Sequence, residues 1–110
     1  MSWIDKILSV HLAVTDAVSH YARLKSDRYF VWAEEDSSDL IASGVHCERV
    51  YRGTTDLFTK QERDPWVAAF ETSLEAGGIA WQLNSVQYEE DTGFIHYEWL
   101  WEVIDGEDDN

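Results

Sequence analysis

Four histidines, a single cysteine and two short carboxylate runs are the side chains in this sequence best able to hold a metal or move a proton. The histidines are His11, His20, His46 and His96. No two stand four apart on a helix and none joins a Cys/His cluster, so the spacing of a zinc site is missing. His46 and His96 fall on strand faces, where a polar surface role is the ordinary one. The runs Glu34-Glu35-Asp36 and Glu89-Glu90-Asp91 could attract a cation, but neither follows calcium-loop spacing, and both read as solvated turns. Cys47 reads as a small buried hydrophobe rather than a nucleophile. There is no glycine-rich phosphate loop and no GxSxG elbow. The expectation is a protein without catalytic, cofactor or metal residues, working through its surface.

Composition narrows that surface. The 110 residues are expected to form one domain over residues 1–104, followed by a flexible acidic tail at 105–110. Apolar residues make up 45% and aromatics 14%, enough for a true core. With 22 acidic against 8 basic side chains, the formal charge is −14. That argues against nucleic-acid binding, which needs Lys and Arg at phosphates, and equally against docking on an anionic membrane, so no specific nucleic acid and no membrane are expected as partners. It suits a basic partner, or a surface kept soluble until assembly. One cysteine allows no internal disulfide, and no secretory signal or membrane-spanning run is legible, so a cytoplasmic origin is expected.

The elements follow from periodicity. Ser2 can cap a first helix carrying Trp3, Ile4, Ile7, Leu8 and Leu12 as its apolar stripe. The pattern could continue through Tyr21, but Val14, Thr15 and Asp16 favour an early stop and a short strand near residues 17–21. Lys25-Ser26-Asp27 is a turn, 28–34 an aromatic, β-branched strand, and 35–44 a loop by composition. A long strand from His46 puts Cys47, Tyr51 and Leu57 on one face, and Glu48, Arg52, Asp56 and Phe58 on the other. Asp64-Pro65 starts a second helix with Trp66, Phe70 and Leu74 on one side, and Gly77-Gly78 ends it. Residues 79–89 and 94–104 form a hairpin through Glu90-Asp91-Thr92-Gly93. In the first of these strands Trp81, Leu83 and Ser85 oppose Gln82, Asn84 and Val86. In the second, Ile95, Tyr97, Trp99, Trp101 and Val103 should pack under the second helix.

The order α-β-β-β-α-β-β gives an α+β fold: a mostly antiparallel sheet of four or five strands with two helices on one face. Leu40-Ile41 either folds back on the core or offers an apolar contact to a partner. The outward strand positions Glu48, Arg52, Asp56, Phe58, Glu98 and Leu100 complete the candidate interface, since subunit contacts favour such mixtures of aromatic and charged groups.

Three runs carry a resemblance: Tyr29-Phe-Val-Trp-Ala-Glu-Glu, Gly53-Thr-Thr-Asp-Leu-Phe-Thr-Lys with Asp64-Pro65, and Trp81-Gln-Leu-Asn-Ser-Val-Gln-Tyr-Glu-Glu-Asp-Thr-Gly-Phe-Ile-His-Tyr-Glu-Trp. Together they resemble the tail terminator, or tail completion, proteins of long-tailed phages and prophages of Gram-positive bacteria. The resemblance spans residues 17–103, is most specific at 84–97, and also favours the early strand near 18–21. It implies an α+β sandwich that forms a ring, usually hexameric, on the head-proximal end of the tail tube. Such a ring stops tube growth and meets the head connector, so the implied partners are further copies, the major tail tube protein and a connector protein. It implies no catalytic or metal residues, and a place at the head–tail junction of the virion after assembly in the host cytoplasm. The acidic balance would suit a channel wall that DNA passes without sticking. Charge alone favours a competing class, a small acidic inhibitor of a toxin or nuclease.

Overall fold

The computed structural model describes residues 2–39 and 49–105. Helix α1 (Trp3–Leu12) begins where the Ser2 hydroxyl accepts the Asp5 N–H at 3.1 Å. It stops before Val14, as the β-branched pair there suggests, and strand β1 (Val18–His20) follows. Strand β2 (Arg28–Asp39), strand β3 (Arg49–Thr59), helix α2 (Pro65–Ala76), strand β4 (Ala80–Glu89) and strand β5 (Phe94–Asp105) complete the chain. The five strands form one sheet in the order β1-β2-β3-β5-β4. All neighbours are antiparallel except β1 and β2, so the sheet is mixed.

Both helices bury their apolar sides on one face of the sheet. Trp3, Ile7 and Val10 from α1 and Phe70 and Leu74 from α2 meet Phe30, Trp32, Leu57, Trp99, Trp101 and Val103. Trp99 lies edge-on to Phe70, with ring centroids 4.9 Å apart. Its indole N–H donates to Glu71 at 2.9 Å, so burying it leaves no donor unmatched. The stripe on α1 is rotated from the expected one: Ile4 and Leu12 are 42% and 55% exposed, while Val10 and His11 are buried. The apolar arc of α1 is wider than the sheet beneath it can cover.

Two β-bulges adjust the registers. One at Glu35 lets β2 continue to Asp39 opposite Arg49, where composition alone suggests a loop. The other, at Asn84, reverses the alternation of β4 beyond it. Ser85 therefore pairs with Glu98 on the helix-free side, and Val86 pairs with Tyr97 on the helix side, opposite to the simple alternation.

Gly53 is required by a close approach. A Cβ there would lie 2.4 Å from the Ala33 carbonyl oxygen and 2.4 Å from the Trp101 ring. Backbone cannot yield as a surface side chain can. Gly53→Ala should cost about 2–3 kcal/mol, the scale of core overpacking, and should displace the Trp101 indole. Denaturant titration monitored by tryptophan emission checks this; a wild-type midpoint with an unshifted spectrum contradicts it.

Candidate interaction surface

The sheet face opposite the helices divides in two. Because β1 and β2 run parallel, residues 21–27 must carry the chain back along the sheet, and they do so over this face. The Arg23 guanidinium lies 4.2 Å from the Phe58 ring centre and pairs with Glu89 at 3.2 Å. Beneath, Tyr29, Val31 and Phe58 form a second small core, edged by Ala17 and Phe94. Phe58 is only 2% exposed, so the structure places this candidate inside the chain.

Beside it, His96 stacks on Phe58 at 4.3 Å. Its Nε2 faces Asp56 at 3.5 Å and its Nδ1 faces Glu89 at 3.3 Å. The Asp56 carboxylate raises the His96 pKa above the usual histidine value, against the opposing pull of burial. Asp56 is thus turned toward a histidine within this chain, and neither its Oδ1 nor the facing His96 Nε2 is hydrogen-bonded.

Among the described residues, no element crosses the other half of the face, although Val50 and Thr54 there are buried. Arg52 bonds Glu102 at 2.8 Å, Asn84 donates to Glu98 at 2.8 Å, and Leu100 lies between them, half-buried. Arg52, Leu100 and Glu102 border a shallow depression of about 250 Å³ with Glu35, Ala80 and Gln82. That is below the few hundred Å³ of a small-molecule pocket, and it is open to solvent, so it suits contact with another surface. The Arg52–Glu102 pair is more than two-fifths exposed on both sides and contributes little to stability. Its value lies in the charge it presents. Carboxylates of Glu35, Glu98 and Glu102 outnumber the Arg52 guanidinium around this half.

Of the candidates read from sequence, Arg52, Glu98 and Leu100 come together on the open half, and Asp56 sits at its border with the covered half. Leu40, Ile41 and Glu48, like His46 and Cys47, lie outside the described residues. No three His, Cys, Asp or Glu side chains among the described residues converge as a metal site.

Sequence reasoning passed over the β4 edge. Leu83, Val86 and Tyr88 are exposed there by 38%, 52% and 65%. A signal was present: residues 80–88 contain no charged side chain in a chain that is 27% charged. A strand that exposes apolar groups along a free edge is unusual for a protein that stays alone.

No family model and no curated protein matches this sequence. Among solved structures, the chain is similar to one from the virion of a native gene transfer agent (GTA) particle, with a TM-score of 0.53 at 10% identity. The match covers 96% of this chain and 92% of that one. What the two have in common at that identity is a fold, and it extends over nearly the whole of both chains.

Proposed function

We propose that this chain is a tail terminator, or tail completion, subunit of a long-tailed phage or prophage. Copies form a ring, expected to be hexameric, on the head-proximal end of the tail tube. The ring ends tube growth and presents a surface to the head connector. The chain acts by shape and charge and carries out no reaction. Its partners are itself, the tube protein and the connector, with no specific nucleic acid and no membrane.

The observation that carries this reading is the fold likeness to a virion chain along 96% of the sequence. It is joined by the resemblance of the residues running from Trp81 to Trp99. The architecture fits the task, since one sheet offers an open face for docking and two edges for neighbouring subunits. A ring that self-assembles through such edges needs no hinge or cofactor.

Polymerising the purified major tail tube protein with and without this chain tests the proposal. Addition should shorten the tubes and leave a ring of extra density at one end in electron micrographs. Tubes of unchanged length with bare ends would sink it. The −14 charge and the acid-rich open face favour a second reading, an inhibitor of a basic toxin or nuclease. That reading requires a tight one-to-one complex with such a target and no effect on tubes.

A further inference from the structure

We infer that copies of this chain join head to tail through opposite edges of the sheet, with β4 of one copy seated in an apolar groove between α1 and β1 of the next. This rests on the ring reading and specifies which surfaces make the ring.

The groove arises from the rotated stripe of α1. Ile4 and Leu12 stand out from the core and Leu8 is packed against it only in part, and with Val18 and Trp32 this row of α1 lines a cleft of about 380 Å³ beside β1. Asp16 and His20 are its polar margin. His20 lies flat on Trp32, with ring centroids 3.9 Å apart, and bonds Glu34 at 2.7 Å. The His20 side of the margin is therefore taken up by an internal pair, Asp16 places a carboxylate at the other side, and the lining between them is mainly hydrocarbon.

The matching surface is on the far edge. Beyond the Asn84 bulge, Val86 and Tyr88 turn to the helix side of β4, in line with Leu83. They form a projecting apolar row on the same side of the sheet as the groove, at the opposite edge. A chain of charge −14 repels its own copies, so a second copy is best received where charge is absent. Residues 80–88 carry no charge, and the Ile4–Leu8–Leu12 row meets them with hydrocarbon, the ionisable groups of the groove being confined to its Asp16 and His20 margin.

Two identical β4 edges could instead pair with each other. The bulge argues against this, because it breaks and twists the edge that a continuous antiparallel ladder would need. Such a pair would also close at two copies and leave the groove empty. Since β1 has only three residues, backbone pairing in the head-to-tail contact is short and side chains carry it. Unlike surfaces at opposite edges generate a ring or a filament, whereas like surfaces generate a dimer.

Sedimentation of wild type, Leu12→Glu and Val86→Glu provides the test. Both positions are more than half exposed, at 55% and 52%, so thermal midpoints should match wild type; Ile4→Glu and Tyr88→Glu repeat the pair. Wild type should form species larger than dimers as its concentration rises. Each variant alone should associate at least about tenfold more weakly, because either charge spoils every contact. Mixed, the two should form a one-to-one dimer and nothing larger, since each brings one intact surface. A wild type that is monomeric at every soluble concentration, or variants that associate as wild type does, would overturn the inference. So would a mixture that gains nothing, or loss with Val86→Glu alone, which marks an edge-to-edge dimer. Tube capping is measured separately. Native protein that caps tubes while these variants assemble normally refutes the edge assignment only, and expected sedimentation without capping refutes the proposed function only.

Discussion

Replacing Asp64 by Ala should destabilise the fold by about 3–4 kcal/mol, a large share of the 5–15 kcal/mol that holds a domain of this size together. Three elements meet at this carboxylate. Its Oδ1 accepts the Trp66 N–H at 2.9 Å, capping α2. Its Oδ2 accepts the Thr59 hydroxyl at 2.7 Å, at the end of β3. The Arg28 guanidinium, from the start of β2, holds both oxygens and lies 3.8 Å from the Trp66 ring centre. Loss of the cap alone costs about 1 kcal/mol. The rest comes from stranding Thr59, which is fully buried, and Arg28, whose one-third exposure softens but does not remove the penalty.

Burial by itself would push the Asp64 pKa upward. The Arg28, Trp66 and Thr59 contacts outweigh it and hold the carboxyl below its usual range. Its stabilisation is therefore present at neutral pH and is lost only as pH falls through that lowered value. Asp64→Asn separates the roles, because an amide still caps a helix but brings no charge to Arg28. It should cost about half as much as Asp64→Ala. Urea titrations of the two variants decide the matter. A cost below about 1 kcal/mol for Asp64→Ala would reduce Asp64 to a simple cap.

The local part of this hub was legible in the sequence and the rest was not. Asp64-Pro65 and Gly77-Gly78 mark both ends of α2 because caps act within one turn, and Gly78 takes the positive φ of +69° expected after a helix. The Arg28–Asp64 pair spans 36 positions, and no local pattern announces it. The same division holds elsewhere. Element order and the early end of α1 followed from periodicity and β-branching. The bulges at Glu35 and Asn84, the parallel pairing of β1 and the burial of Phe58 follow from how distant strands meet. Composition around Asp36-Ser37-Ser38-Asp39 speaks for a loop, but pairing with Arg49–Arg52 overrides it. Residues 21–27 decide which outward strand positions remain open, so Phe58 could not be told from Leu100 by alternation alone. His11 was hidden by its type: counted as polar, it left the buried stripe of α1 misplaced by one position.

That histidine should make the protein lose about 3 kcal/mol of stability between pH 6.5 and about pH 4. His11 is fully buried, 4.8 Å from Phe70 and 5.7 Å from Phe30 between ring centroids. A carbonyl can only accept, so Nδ1 carries the proton given to the Ile7 oxygen at 2.6 Å. Nε2 must then accept the Thr55 hydroxyl proton at 2.9 Å, while that oxygen accepts the Trp101 indole N–H, also at 2.9 Å. Every polar side-chain atom in the relay from the Ile7 carbonyl through His11 and Thr55 to the Trp101 indole is matched with His11 neutral. A second proton would face the Thr55 hydroxyl and put a charge among aromatic rings. Burial accordingly lowers the His11 pKa from 6.5 to about 4, although the Ile7 bond pulls it upward. Its place in the last turn of α1 would also favour a cation, by less than burial disfavours one. The sign follows from the depressed value: stability is complete above pH 6.5 and drains as the unfolded chain gains the proton that the folded one refuses. His96, with its raised value, acts above this window, and the lowered carboxylates of Asp64, Glu34 and Glu89 act at its acid end. Among the described residues, His11 is the group whose lowered value spans the window between. Unfolding free energies of wild type should fall steadily from pH 6.5 to 4.5, while His11→Gln, weaker at the start, should stay level. A flat wild-type profile, or an equal slope in the variant, would show that α1 is not held to β3 and β5 by a neutral imidazole.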